Sequence, residues 1–388
     1  MPMHVGISSG FANHMPVDDR RFIQEEMKQL LYAIELGFES IWITEHHFSD
    51  YSIAPNPLQY LTYLAGRTKT ARFGTQVIVV PWHDPVRLAE EIAVLDHVSD
   101  GRLIVGFGRG LSRMEYGGLR VDQNMARELF DEIVPMVMNA MESGFIEGGE
   151  IHKQPRREIR PRPFRSLKGR AFCAAGSPAS MVSAAKLGLG RLYLGQPMVG
   201  GGVRRTFTPQ DPQATGKLAS IVEPTPEDAW LDAWKKYHPG EPPIAPFASN
   251  LVFIDESSDK AKELARTYAV KTFRAAVKNY ELTSPHHGSV KGYESYSNIV
   301  MKEEDIEKIA LGAGSNSLAG NPKEVLTQLD EVRRMREPQG MVPHLYTGGM
   351  PHEDAMRSIQ IFAKHCLKEM KSWKGAPWTV DGDLAEVS

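Results

Sequence analysis

The sequence predicts an α/β protein whose mainly parallel sheet closes into a (β/α)8 barrel of the TIM type, with long insertions after the sixth strand and before the eighth. Three observations carry this expectation. Apolar strand-like runs alternate with stretches of helical periodicity along the chain. That rhythm implies crossover connections and a parallel sheet. Eight runs qualify as strands, the number that closes a barrel, although an open doubly wound sheet shares the rhythm.

The first strand is expected over residues 4–9, followed by a helix in which Ile23, Met27, Leu30, Leu31 and Ile34 share a face until Gly37 ends it. Residues 40–44 form the second strand. Asn56-Pro57 then offers an N-cap and a proline at the first helical position, with Leu58, Leu61 and Ala65 as the buried stripe. The third strand, 73–80, is rich in β-branched residues, and Asp84-Pro85 repeats the cap chemistry before a helix bearing Leu88, Ile92 and Leu95. Asp100-Gly101 turns the chain into the fourth strand, 103–107. A long helix follows from near Met125 to Met141, with a kink expected at Pro135. The remaining strands are expected at 171–175, 191–194, 251–255 and 342–346. Two stretches break the rhythm: 199–246, which opens on Gly200-Gly201-Gly202 and holds one helix near 226–237, and 282–320, which lacks clear periodicity. Both exceed ordinary connectors and are expected to be functional loops inserted into a single domain spanning 1–388.

With 388 residues, 41% hydrophobic and 24% charged, the chain has material for one large core. A net charge of -3 gives no electrostatic ground for nucleic acid or an anionic membrane as partner. No run approaches the roughly 18 apolar residues of a membrane span, and residues 1–6 lack the features of a signal peptide, so a cytoplasmic protein is expected. Cys173 and Cys366 form no CxxC pair and belong to no metal cluster, so no metal site is expected.

The second strand ends in Glu45-His46-His47-Phe48, an acid and two imidazoles at the rim where barrel chemistry sits. Imidazole titrates in the range needed to give or take a proton, though a buried histidine hydrogen-bonded at a strand end has the same sequence signature. After the fourth strand comes Gly108-Arg109-Gly110-Leu111. Its glycines let backbone approach a planar ligand, while the arginine suits a phosphate or an electron-rich ring. Gly176-Ser177-Pro178-Ala179-Ser180 precedes a helix, and its hydroxyls and amides fit either a phosphate or an ordinary N-cap. Gly106 to Gly110 lacks the third glycine and the later acidic residue of a dinucleotide fingerprint, which excludes a Rossmann reading. His286-His287 has no third ligand at metal spacing and reads as an exposed pair.

Taken together, Gly37 to Phe48, Gly74 to Pro81, His83 to Arg87 and Leu95 to Gly110 resemble the bacterial-luciferase-like flavin monooxygenase family, in the family's order and with little gapping over residues 37–111. The match weakens beyond Gly110, recovers at Ala175 to Ser180, and is looser at Gly320 to Val325. The resemblance implies a barrel that binds FMN at the carboxyl ends of its strands. It further implies a two-component monooxygenase using reduced FMN (FMNH2) and O2, through a C4a-peroxyflavin, to oxygenate a small organic substrate such as an aldehyde or ketone. A separate NAD(P)H-dependent flavin reductase and a homodimeric assembly follow from the same resemblance.

The resemblance also assigns roles. His46 lies beside the reactive flavin edge as the catalytic residue. Gln76 and Val77 lie against the isoalloxazine, where some relatives have a non-proline cis peptide. Gly108, Arg109 and Leu111 contact the cofactor, Arg127 adds a second positive charge at the phosphate, and Gly176, Ser177 and Ser180 hold it. Gly176 departs from bacterial luciferase, which has glutamate there. Glu45 and His47 either orient His46 or form a structural ion pair. Glu45, Trp82, His83, Met114 and Tyr116 are candidates for the substrate pocket, although such residues also serve packing. Two other readings stay open: hydride transfer with the deazaflavin F420, and a non-catalytic flavin-binding subunit. Comparing FMNH2 with F420 binding separates the first, and the intact histidine cluster argues against the second.

Overall fold

The computed structural model describes residues 1–14, 17–195, 226–294, 300–315 and 317–381. Eight parallel strands form a ring in chain order: His4–Val5 continued by Ile7–Ser9, Ser40–Ile43, Arg72–Thr75 continued by Ile78–Val79, Leu103–Gly108, Ala171–Cys173, Gly190–Gly195, Phe247–Ile254 and Gly340–His344. The first strand closes the ring because its halves pair with different neighbours. His4 and Val5 pair with Gly340 and Met341 of the eighth strand, whereas Ile7 to Ser9 pair with Ile41 to Ile43 of the second. The sheet is therefore a barrel, and the open doubly wound alternative falls.

Large rings seated over glycines fill the interior. A Cβ at Gly74 would lie 2.1 Å from the Trp42 indole, one at Gly190 2.5 Å from the Phe172 ring, and one at Gly340 2.4 Å from the Phe247 ring. Those three rings meet at centroid distances of 4.8 and 4.9 Å around Phe247. Trp378 joins them from the C-terminal stretch, 4.7 Å from the His4 ring at the start of the first strand. The amino end of the barrel is thus packed, and the carboxyl ends carry the polar residues.

The outer helices start as expected. Asn56 caps Pro57–Ala65, Asp84 caps Pro85–Val98, and Ser177 caps Pro178–Lys186. Buried Asp96 and Arg170 pair bidentately at 2.7 and 3.0 Å, tying the helix Pro85–Val98 to the entry of the fifth strand.

Several expectations need correction. The third strand, expected unbroken over 73–80, breaks at Gln76–Val77, where the non-proline cis peptide that the resemblance raised is present. The seventh and eighth strands begin at Phe247 and Gly340, earlier than the apolar run indicates, because Ser249 and Asn250 pair with the eighth strand despite their polarity. Residues 282–320 are not an aperiodic loop. They contain the helix Glu303–Ser315 and the strand Leu318–Gly320, which pairs with Val252 to Ile254. Glycines at 312 and 314 dilute the helical signal there, while Ile306 and Ile309 pack beside Val277 and Leu282. The helix expected from near Met125 to Met141 spans Ala126–Ser143 with Pro135 in its interior. An antiparallel hairpin, Phe145–Gly148 with Gln154–Glu158, has no counterpart in the sequence reading. Of the 199–246 insertion, 199–225, including Gly200 to Gly202, lie outside the described residues; the helix is present as Pro226–Tyr237. Among the described residues no helix is long and apolar enough to cross a membrane.

Candidate functional site

At the carboxyl end of the second strand, the His46 backbone N–H donates to the Ala54 carbonyl at 3.1 Å, which fixes the turn. The ring is held from both sides. Its Nδ1 lies 3.0 Å from Glu115 Oε1 and its Nε2 lies 3.3 Å from the Tyr280 hydroxyl. Glu115 is fully buried, is carried on the short helix Arg113–Gly118, and also accepts the His47 backbone N–H at 2.7 Å. A carboxylate behind an imidazole is the arrangement that orients a histidine for proton handling.

Glu45 does not perform that task. Its Oε2 accepts the Val79 backbone N–H at 2.7 Å, and its Oε1 lies 2.8 Å from His83 Nε2 and 3.3 Å from His47 Nε2. Glu45 and His47 thus contact each other and not His46, and His83 joins them on the same carboxylate. Burial works against the Glu45 charge, yet His83 and the hydrogen bonds outweigh it and hold the carboxyl below its ordinary range. Burial likewise opposes the His83 cation, and the Glu45 charge raises its pKa all the same.

A second cluster gathers at the ends of the fourth and fifth strands. Arg109 Nη2 donates to Ser180 Oγ at 3.2 Å, Arg127 Nη2 donates to the same oxygen at 2.7 Å, and Ser177 Oγ lies 2.9 Å from it. Burial, and then the like charge of Arg109, lower the pKa of Arg127, with Asp131 offsetting part of this. Two guanidinium groups converging on one neutral hydroxyl at a helix start are an arrangement that could hold an anion. A Cβ at Gly176 would meet nothing within 4 Å, so this side is open. Both Arg109 terminal nitrogens also donate to the Gly292 carbonyl at 3.3 Å, and the guanidinium lies 4.7 Å from the Tyr293 ring centroid.

Between the clusters, Gln76 Nε2 donates to Ser249 Oγ at 2.9 Å, while its buried Oε1 has no hydrogen-bond partner. The Val77 side chain occupies the space where a Gly108 Cβ would sit, at 2.4 Å. The cis bond thus lies against the Gly108-Arg109 segment. An unpaired buried amide oxygen at a barrel mouth fits a polar ring ligand.

Other candidates are redistributed. Tyr116 is buried and its hydroxyl donates to the Arg109 carbonyl, which supports the arginine's backbone. Leu111 is buried with Tyr116, Val290 and Tyr293 and acts by packing. Met114 is 39% exposed, outside the cluster. Trp82 packs edge-on against His47 and Tyr116, and its indole nitrogen has no hydrogen-bond partner. The His286-His287 pair is not exposed: His287 is buried with Nε2 2.6 Å from the Tyr280 carbonyl, and His286 reaches Gln123. Among the described residues no group of side chains could hold a metal ion. Sequence reasoning missed Glu115, Tyr280 and Ser249, since no local pattern links them to His46 or Gln76.

The family profile described as luciferase-like monooxygenase matches residues 3–200. The chain is similar to the oxygenase component of a flavin-dependent trigonelline monooxygenase of Acinetobacter baylyi, 32% identical over 161 residues, covering 41% of this chain and 45% of the relative. It is similar also to an alkanal monooxygenase alpha chain of Photorhabdus luminescens, 27% identical over 258 residues, covering 64% and 65%. The match thus spans less than two thirds of either relative. Among solved structures, the oxygenating constituent of 3,6-diketocamphane monooxygenase from Pseudomonas putida, a type II Baeyer-Villiger enzyme in complex with FMN, superposes with a TM-score of 0.66 at 16% identity, covering 95% of this chain and 99% of that one. An F420-dependent secondary alcohol dehydrogenase superposes with a TM-score of 0.65 at 12% identity, covering 96% and 100%, so the likeness to either structure is one of fold. With the profile matching half of the sequence, the motif blocks inside that match and the barrel closed as they require, the chain belongs to the luciferase-like monooxygenase family.

Proposed function

We propose that this chain is the oxygenase of a two-component flavin-dependent monooxygenase, which binds reduced FMN at the carboxyl face of the barrel and uses O2 to oxygenate a small organic substrate such as an aldehyde or ketone. The observation that carries this reading is the convergence of Arg109 and Arg127 on Ser180 Oγ, at the same barrel face that holds His46 against Glu115. A phosphate seat and a carboxylate-backed imidazole are the two things a flavin oxygenation site needs from its protein.

In this reading Arg109, Arg127, Ser177 and Ser180 hold the phosphate, Gly176 leaves room for backbone approach, Gly108 makes room for the Val77 side chain, and Gln76 and Val77 meet the ring. Reduced FMN supplies two electrons when bound, so that one oxygen atom passes to the substrate and the other leaves as water. His46 moves a proton at Nε2, Glu115 holds Nδ1, and the Glu45 ion pairs keep the rim in place. The relative named as an oxygenase component supports a separate reductase as electron source, which in this reading draws on NAD(P)H. Exposed Tyr63, Val94 and Val98 on the helices Pro57–Ala65 and Pro85–Val98 support a homodimer through that face.

Equilibrium titration with reduced FMN and with F420 tests the cofactor. Reduced FMN is expected to bind, with affinity falling about ten- to a hundredfold in Arg109→Ala, as loss of a charge-assisted hydrogen-bonding group implies. Binding of F420 alone, with anaerobic hydride transfer, would replace this reading with the F420 one.

A further inference from the structure

Tyr280 follows the helix Val270–Asn279, and its hydroxyl lies 3.3 Å from His46 Nε2. The opposite nitrogen faces Glu115 Oε1, the oxygen that also accepts the His47 amide. A carboxylate can only accept, so Nδ1 carries the hydrogen toward Glu115. In the neutral ring Nε2 is then a lone pair, and the Tyr280 hydroxyl donates to it.

The tyrosine is itself fixed. Its ring packs edge-on against His46 at 5.8 Å and Tyr51 at 5.4 Å, and its hydroxyl shares a hydrogen bond with Tyr51. His287 Nε2 lies 2.6 Å from the Tyr280 carbonyl. Asn279, the preceding residue, accepts from Ser112 Oγ at 2.7 Å through its carbonyl and from Ser49 Oγ at 2.6 Å through its side chain. Ser112 is also the N-cap of the helix that carries Glu115. The two groups gripping His46 are therefore tied to each other through the Ser112–Asn279 hydrogen bond.

We propose that Tyr280 is a positioning residue for His46: together with Glu115 it fixes the imidazole as the Nδ1–H tautomer, with Nε2 kept as an acceptor until an acidic hydrogen of a bound ligand takes the place of the tyrosine hydroxyl. The proposal rests on the reading of His46 as the proton-handling group of the oxygenation site. It concerns a residue that lies far from the motif in sequence and that no motif contains.

Two-bond 1H–15N spectra of the histidine rings in the full chain, recorded for the parent, Tyr280→Phe and Glu115→Gln, test the tautomer directly. Tyr280→Phe keeps the ring packing and removes only the hydroxyl. The expected result is a single Nδ1–H tautomer in the parent, a shifted Nε2 resonance in Tyr280→Phe, and mixed tautomers in Glu115→Gln. The kinetic arm compares oxygenation turnover: Tyr280→Phe is expected to lower kcat about five- to tenfold with KM unchanged, the size of one lost neutral hydrogen bond, and to have no added effect in the His46→Ala background. An unchanged Nε2 resonance, or effects of Tyr280→Phe and His46→Ala that simply multiply, would overturn the proposal. A shifted Nε2 resonance in a protein that does not oxygenate would leave the positioning role standing and sink the functional reading instead.

Discussion

The His46 ring meets a carboxyl oxygen on one nitrogen and a phenol on the other, and both partners reach it from distant parts of the chain, 69 residues away for Glu115 and 234 for Tyr280. Such an arrangement makes the ring's proton position a property of the fold. Replacing His46 with alanine is expected to lower oxygenation by about 10²- to 10⁴-fold, the range for a positioned acid-base group, as read by oxygen uptake in the presence of reduced FMN. His46 was legible in the sequence because it closes a strand inside a recognisable motif. Glu115 was not, because an acid on a six-residue helix carries no pattern that points to a histidine in another βα unit. Glu45 illustrates the converse: adjacency to His46 made it a candidate orienter, yet successive residues at a strand end diverge, and its carboxylate turns to His83 and the Val79 amide.

Among elements, cap chemistry was the most transferable signal: Asn56, Asp84, Ser177 and Asn321 each accept backbone N–H groups where the sequence places a proline next to a cap residue. Strand starts were harder, since a barrel strand buried in the ring tolerates Ser249 and Asn250 through pairing that no hydropathy pattern reveals. The Asp96–Arg170 pair joins the helix Pro85–Val98 to the fifth strand with both side chains essentially inaccessible. Asp96→Ala would leave a buried guanidinium uncompensated. It is expected to destabilise the fold by about 3–5 kcal/mol in urea unfolding, whereas removal of an exposed pair such as Arg156–Glu147 is expected to cost under about 1 kcal/mol.

At the scale of the whole molecule, closure was anticipated from eight strands in alternation, and the first strand achieves it by pairing with both the second and the eighth. The interior aromatics seated over Gly74, Gly190 and Gly340 were not anticipated, because facing residues become neighbours only once the ring closes. The barrel rim also gives the stability a pH signature. The pKa of His83 is raised above 6.5, so its share is fully present below pH 6.5 and is lost as pH rises through the folded value. The pKa of Glu45 is held below 4.5, so its share is present above pH 4.5 and is lost as pH falls. The difference in unfolding free energy between the parent and Glu45→Gln is therefore expected to be largest between pH 4.5 and 6.5 and to shrink on either side. Subtraction removes the contribution of buried Glu26, whose pKa burial pushes up to about 7 and which weakens the fold as pH rises toward that value. The proposed function rests on one coupling, that of the anion seat proposed at Arg109 and Arg127 to the proton-handling role proposed for His46. Rapid mixing of the protein and reduced FMN with O2, comparing parent and His46→Ala, reads that coupling most directly. Bound reduced FMN that consumes O2 and oxygenates an added aldehyde or ketone in the parent, with oxygenation lost in His46→Ala, is the expected result. Failure of reduced FMN to bind, or equal oxygenation by the two proteins, would contradict it.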